Sequence, residues 1–314
     1  MSVTNSYFDD LKDLSVKDIL TSSELIEGAI NELLEGEQAY NLIFDPFDTE
    51  GQLTVGYELD TAPGLDEEVQ TIAEFGEIPV GDPNRGERRF TDLLPSGIGV
   101  RVSYAQRNFT SGSAVQRELL GRASEIRHKN GKDALAAIAA VDDMIEELPV
   151  AQKWNTADAK AMDDLYAADD LLAGAVDDVT GNRFSYSGKW VWANRRTINA
   201  LKRNKQVTEM YVGDMAHADP RFTPLGEQPI IGEQFLLVVD EGMPDGVAYV
   251  ISETRTGGLG TRFEAEEAKF SDWYEEGGQS GMGGPRMSWR SDYVHFRSLV
   301  VRAPKAIVKI TGAI

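Results

Sequence analysis

The chain of 314 residues has no cysteine, which excludes disulfides, thiolate metal sites, iron-sulfur clusters and a cysteine nucleophile. Proline is sparse, at 12 residues against 30 glycines, and there is no internal repeat or low-complexity segment. Long apolar runs are also missing. The longest, Ala134 to Val141 and Phe235 to Val239, fall far short of the roughly 20 residues that cross a bilayer. Basic residues are nearly absent from the first quarter: residues 1–84 hold 20 Asp/Glu against Lys12 and Lys17, a balance of 2 − 20 = −18. Over the whole chain 31 Lys+Arg face 52 Asp+Glu, a net −21, which argues against autonomous binding to nucleic acid or anionic lipid. The start, Met1 to Phe8, has neither a basic n-region nor an apolar h-region, so no secretory signal is read and cytoplasmic synthesis is expected.

What is present suffices for a core. Hydrophobic residues make up 41% of the chain, enough for one or two domains held by packing alone. Acid is again concentrated in residues 133–180, where 12 Asp/Glu face Lys153 and Lys160, giving 2 − 12 = −10. Between Arg183 and Lys205 there are seven basic residues and no acid. Blocks of opposite sign laid out in series can pair within one subunit or between copies.

The periodicity predicts an α+β chain with helices in the middle and strands at both ends. Ser22 or Ser23 caps a helix to about Glu35, with an apolar stripe that includes Leu25, Ile30 and Leu33 and therefore needs a surface to lie on. Short extended runs follow at Leu53 to Leu59, Phe75 to Val80, Arg88 to Leu94 and Ile98 to Tyr104, separated by Gly/Pro/Asp turns. A long helical region starts at Ser111 or Ser113, is interrupted at Asn130-Gly131, and resumes from Ala134 to Leu148 before Pro149. A further helix is expected from Thr156 to about Val176. Trp190 to Trp192 form a buried strand that feeds a basic helix, Arg195 to Asn204, capped by Asn194. The remaining strands include Gln234 to Val239, Val247 to Ser252, Tyr293 to Arg302 and Ala306 to Ile310.

Candidate chemistry is thin. His128, His217 and His295 fall in different elements without metal-ligand spacing, so surface or polar-core placement is expected, with His128 on a solvated helix face. The pairs Asp163-Asp164, Asp169-Asp170 and Asp177-Asp178 are read as a wet acidic face before a cation site. The run Gly277 to Gly284 lacks a following Lys-Ser/Thr and opens no helix, so it is a flexible surface loop and not a phosphate cradle. No serine stands in a Gly-x-Ser-x-Gly elbow. No cofactor, metal or catalytic residue is expected.

The stretch from Asp45 to Arg89 has few large apolar residues and no helix to cover a sheet. A two-stranded ribbon of this kind is marginal alone, and its edges invite pairing with another chain. It is expected to borrow a surface from a neighbour.

The order of parts resembles the major capsid proteins of tailed bacteriophages, built on the Hong Kong 97 phage fold that encapsulin shells share. The resemblance rests on the acidic N-terminal arm, a ribbon with Ala73-Glu74-Phe75-Gly76-Glu77-Ile78-Pro79, then Phe90 and the strand Gly99 to Gln106. A long helix from about Gly112, Trp192-Ala193-Asn194-Arg195-Arg196-Thr197-Ile198 and the closing Val300 to Ile310 complete it. It implies an N-terminal arm at 1–45, an extended loop at 46–95, and a peripheral domain at 96–149 and 251–314 with a spine helix at 112–141. The axial domain would occupy 150–250. The implied inter-subunit contacts are Leu25, Ile30 and Leu33 on the arm, Leu53, Val55, Tyr57, Phe75, Arg85, Arg88, Arg89 and Phe90 on the loop, and Arg195 and Arg196 in the basic block.

Such a subunit implies a structural, non-enzymatic role: self-assembly into hexamers and pentamers of an icosahedral head around double-stranded DNA. The implied partners are copies of itself, a separate scaffolding protein, a portal and a cement or decoration protein, in a virion assembled in the host cytoplasm with no membrane. Some relatives weld the shell through a Lys-Asn bond with the lysine on the extended loop. Here no lysine occurs between Lys17 and Lys129 and no asparagine after Asn204, so a non-covalent shell is expected. The capsid-like pattern begins within about 40 residues of Met1, which favours a separate scaffolding protein over a fused one. The strong negative charge is expected to keep the wall from gripping packed DNA. An encapsulin-type compartment shell and a soluble acidic hydrolase are the competing readings.

Overall fold

The computed structural model describes residues 15–20, 28, 29, 39–65, 71, 72, 78, 80–110, 112–156, 158–178, 180–212, 230, 231, 234–240, 242–252 and 259–314. Its helices are α1 (Val16–Ile19), α2 (Ala39–Ile43), α3 (Tyr104–Phe109), α4 (Gly112–Ala139), α5 (Ala161–Gly174), α6 (Arg195–Arg203) and α7 (Lys205–Val212). The first strands are β1 (Phe44–Asp48), β2 (Thr54–Glu58), β3 (Arg88–Asp92), β4 (Leu94–Ser103), β5 (Glu146–Pro149) and β6 (Gly188–Ala193). Then come β7 (Ile230–Ile231), β8 (Phe235–Val239), β9 (Val247–Ser252), β10 (Gly260–Phe270), β11 (Tyr274–Glu275), β12 (Ser288–Val301) and β13 (Ile307–Thr311). The mixed α+β class expected from periodicity is what the chain adopts.

One sheet is organised on β12. It pairs antiparallel with β4 over Ser288–Arg297, with β10 over Tyr293–Val301 and with β11 at Trp289 and Arg290, while β1 adds to β10 in parallel. Helix α4 lies against this sheet through Val115, Leu119 and Ile126, which share a core with Val100, Val102 and Tyr293. Val16 and Ile19 of α1 are fully buried in the same core. The described part of the N-terminal arm is therefore bound to its own chain. The apolar pair on one turn of α1 finds cover there, with Ser15 accepting the Asp18 backbone N–H at 3.2 Å as its cap. The predicted helix from Ser22 or Ser23 to Glu35 lies outside the described residues except for Gly28 and Ala29, which are helical.

A second, six-stranded sheet has the order β5-β13-β9-β6-β8-β7. Helix α5 buries Leu165, Ala168 and Leu172 in its core together with Val191, Phe235, Val250, Ile307 and Ile310. The expected boundary at 250/251 runs through β9, and the terminal strand β13 joins this sheet beside β9 instead of the sheet of β12. Asn194 caps α6 as predicted, its side-chain oxygen accepting the Thr197 N–H at 2.7 Å.

Three local expectations are corrected. Helix α4 runs unbroken through Asn130 and Gly131. A Cβ on Gly131 would stand 2.8 Å from the Asp240 carboxylate, so this glycine serves a close approach and does not break the helix. The expected continuation to Leu148 stops at Ala139, because Glu146–Pro149 is taken as a parallel strand by β13. Helix α5 begins five residues after Thr156. The Asn204 amide donates to the carbonyls of Trp154 and Ala159 at 3.1 and 3.0 Å, which holds that stretch out of helical geometry.

Asn194 also donates to the Met243 carbonyl and to Asp245, so it ties the start of α6 to the loop before β9. Asn194→Ala is expected to lower stability by about 1–2 kcal/mol, read as a shift of the urea unfolding midpoint at unchanged slope.

Candidate functional site

Strands β2 and β3 form a separate two-stranded ribbon, with Thr54 opposite Asp92, Gly56 opposite Phe90 and Glu58 opposite Arg88. Alternation gives it two faces. Val55 and Tyr57 point toward Leu93, Phe263 and Val300 of the chain's own sheet, with the Tyr57 and Phe263 rings 6.4 Å apart. The hydroxyls of Thr91 and Ser298 are 2.6 Å apart on the same side. The expectation that this ribbon has no surface of its own is thereby corrected: its inner face is seated on β10 and β12.

The outer face is different. Thr54, Gly56, Glu58, Arg88, Phe90 and Asp92 are all exposed or nearly so, and Phe90 keeps 67% of its surface accessible. The ring lies across Gly56, where a Cβ would meet it at 3.1 Å, and the Arg88 guanidinium sits 5.3 Å from its centroid. Leu53, Leu94 and Phe47 add further exposed apolar area. An aromatic held flat by a strand and backed by arginine is the kind of group that anchors protein contacts once a partner desolvates it.

Beyond the strands the excursion continues as a stalk. Leu59 donates to the Glu87 carbonyl at 3.0 Å, and Asp60 donates to the Arg302 carbonyl at 2.9 Å. The Arg302 guanidinium returns to the Asp60 carboxylate at 3.2 Å, and the buried Asp177 accepts the Ala62 N–H at 3.1 Å. Gly86 allows the two legs to touch, since a Cβ there would overlap the Leu59 carbonyl. Burial, with Asp60 and Asp177 nearby, pushes the Tyr186 phenol beneath this stalk well above its ordinary value. Ile78 and Val80 are exposed at the far end.

The structure thus brings Leu53, Val55, Tyr57, Arg88, Arg89 and Phe90 together on one ribbon. Val55 and Tyr57 are on its seated face; Arg89, also half-buried, pairs with Glu87 at 3.1 Å. Arg85 is exposed on the returning leg of the stalk. Arg195 and Arg196 stand apart from the ribbon, exposed at the start of α6, with Arg196 paired to Asp245 at 2.5 Å. Leu25, Ile30, Leu33 and Phe75 lie outside the described residues. Asp60 and Arg302 were not singled out from the sequence, and Asp177, read there as part of a wet acidic face, is buried; no local pattern links residues more than 100 positions apart.

The residues weighed for chemistry have structural work. Asp164 accepts from the Trp154 indole at 2.9 Å, Asp163 from Gln206, and Asp169 from the Gly188 backbone. Among the described residues no group of three His, Asp or Glu could hold a metal ion. The Gly277–Gly284 loop is wrapped on a carboxylate of its own: Glu275 takes the N–H groups of Ser280, Gly281 and Gly284. These backbone donors, Ser280 first, hold the Glu275 carboxyl below its ordinary range. His128 is exposed on α4, and His217 lies outside the described residues. His295 is 7% exposed, and neither ring nitrogen has a hydrogen-bond partner among the described residues. Burial first, then the charge of Arg297, lowers its pKa to about 4.

No described helix is long and apolar enough to cross a membrane.

Two sheets, one built on a 14-residue strand beside a 28-residue helix, together with a projecting two-stranded ribbon, make up the fold carried by phage capsid proteins. Solved structures share it over nearly the whole chain. The capsid structure of the cyanophage P-SCSP1u superposes with a TM-score of 0.57 at 8% identity, covering 88% of this chain and 88% of that one. The virus-like particle from Pyrococcus furiosus superposes with a TM-score of 0.56 at 9% identity, covering 91% and 97%. A phage-related protein from Bordetella bronchiseptica gives 0.54 at 13% identity, covering 90% and 96%. No family model matches the sequence, and no curated protein matches it.

A histidine whose folded-state pKa is depressed stays neutral in the native state while the unfolded chain takes up the proton. Stability therefore falls as pH drops from about 6.5 toward about 4. His295→Phe is expected to remove that part of the acid sensitivity. The difference in urea midpoint between about pH 7 and about pH 4.5, near the lower end of this window, is predicted to be smaller in the variant than in the parent; equal losses would contradict it.

Proposed function

We propose that this chain is the major structural subunit of a tailed-phage head of the Hong Kong 97 type. The reading is a structural, non-enzymatic one. The observation that carries it is the shared fold over about nine-tenths of the chain with a cyanophage capsid and a virus-like particle. The exposed outer face of the ribbon supports it independently, since Phe90 keeps 67% of its surface accessible.

In this reading copies associate into hexamers and pentamers of an icosahedral shell, with the ribbon reaching a neighbouring subunit. The sheet of β12 with α4 is the peripheral unit, and the six-stranded sheet, including β13, is the axial one. The shell is held without covalent links: the excursion from Asp45 to Leu94 contains no lysine, so a Lys-Asn bond has no nucleophile there. The enclosed cargo is double-stranded DNA, which the net charge of −21 keeps from adhering tightly to the wall. A separate scaffolding protein, a portal and a cement protein are the partners, and the location is the virion, after assembly in the host cytoplasm. The likeness to a virus-like particle keeps a compartment shell as the second reading; protein cargo in place of duplex DNA in purified particles would favour it.

Negative-stain imaging of the full chain expressed with its genomic neighbours tests the reading. Closed shells of uniform size are expected, running as single-subunit bands after boiling in detergent. Ladders would contradict the non-covalent shell, and only small soluble oligomers would contradict the function. Phe90→Ser is expected to reduce shell yield at least about tenfold, the effect of losing an interface anchor, with the thermal midpoint of the subunit unchanged.

A further inference from the structure

Two grooves of opposite charge lie at opposite ends of α5. The first, about 490 Å³, opens where the C-terminal half of α5 meets the start of β13, and carries Asp143, Glu146, Asp170 and Asp178 with Lys305 as its one base. Lys305 is bound to Asp178 at 3.3 Å. Asp143, Glu146 and Asp170 are exposed and make no ion pair or hydrogen bond among the described residues. The second, about 710 Å³, opens ahead of α5, between Trp154–Thr156 and α6, close to Ile314 beyond the far end of β13. It carries Arg195, Arg196, Arg203 and Lys205, and no described acidic side chain lines it. Arg196 is held by Asp245, while Arg195 and Arg203 have no ion pair among the described residues.

A chain with a net charge of −21 repels its own copies at long range, and a local contact of opposite sign offsets that repulsion where two copies meet. Each groove presents side chains of one sign with no ion pair among the described residues: Asp143, Glu146 and Asp170 in the first, Arg195 and Arg203 in the second. The basic groove of one copy set against the acidic groove of the next compensates both. The two surfaces are different patches of one chain, so the contact is heterologous and repeats head to tail, closing into a ring where the rotation allows. The two grooves share no lining residue, so one copy can use both at once with neighbours on either side.

We propose that the basic groove around Arg195 and Arg203 receives the acidic groove around Glu146 and Asp170 of a second copy of this chain, forming the ring contact of the capsomer. This rests on the shell-subunit reading and names the surface that reading needs. A phosphate backbone is the rival occupant of the basic groove. The surrounding negative charge opposes it, and it becomes an outcome of the test.

The test uses the full chain in two forms, R195E/R203E and E146K/D170K, with circular dichroism to establish folding and sedimentation to measure association at low and physiological salt. Each variant alone is expected to self-associate about 100-fold more weakly than the parent, because like charges then face each other. A one-to-one mixture is expected to regain the parental strength of subunit association and to form even-membered rings, since alternating copies set every altered groove against its new complement; a five-membered ring cannot alternate, so shell closure is read from the parent and not from the mixture. Salt is expected to weaken the parental contact. Undiminished shells from either variant alone, or no recovery in the mixture, would overturn the groove pairing and leave the shell reading standing. Parental rings that never close into shells even with the genomic neighbours present, with association regained on mixing the variants, would support the pairing and contradict the shell. A parent that stays monomeric throughout would contradict both. A short DNA duplex bound tightly by the parent and released by R195E/R203E would overturn the pairing in favour of a phosphate site.

Discussion

The ribbon of β2 and β3 is constrained to have one face wet. Its strands alternate, so placing Val55 and Tyr57 on Phe263 and Val300 obliges Phe90 and Arg88 to point away from the subunit. A slip of one residue would bury Arg88 and Phe90 and expose Tyr57, losing the hydroxyl contact between Thr91 and Ser298 as well. The register is therefore fixed by the seated side, and the exposed aromatic follows from it. The shell reading depends on this asymmetry more than on any catalytic or ligand-binding feature.

The stalk explains how such a projection holds its direction. Ion pairing of Asp60 with Arg302 and backbone capture of Ala62 by Asp177 tie its base to the connection before β13 and to the end of α5. Arg302 stands in the connection from β12 to β13 and Asp177 between α5 and β6, so the ribbon's aim is coupled to the six-stranded sheet as well as to the one it sits on. Gly86 is needed at the point where the legs touch. The same logic of charge used locally appears at Glu275, whose carboxylate organises the glycine-rich loop that in isolation looks unstructured.

Much of this was legible in the sequence because it is local. The Asn194 cap, the buried strand around Trp192, the ribbon strands and the exposed His128 all follow from spacing and neighbouring residues. What was not legible depends on distant partners. Strand β10, with Glu264, Glu266, Glu267 and Lys269 among its residues, has the composition of a helix. It is extended because Thr261 and Phe263 alternate into the core and β12 supplies the ladder. Gly131 looks like a helix stop until Asp240 is seen beside it, and β13 chooses the sheet of β9 for reasons no window of residues contains. For the candidate site, the exposed side of the ribbon could be read from alternation, but the assignment of its inner face to the same chain could not.

The central claim is that the outer side of the ribbon is uncovered in a single subunit and covered only by a sibling. Hydrogen exchange at the backbone amides of Leu53–Glu58 and Arg88–Leu94, compared between dilute subunits and assembled particles, tests it most directly. Rapid exchange at the amides outside the β2–β3 ladder in dilute solution, slowing strongly on assembly, is the predicted result. Equal exchange in both states would contradict the account.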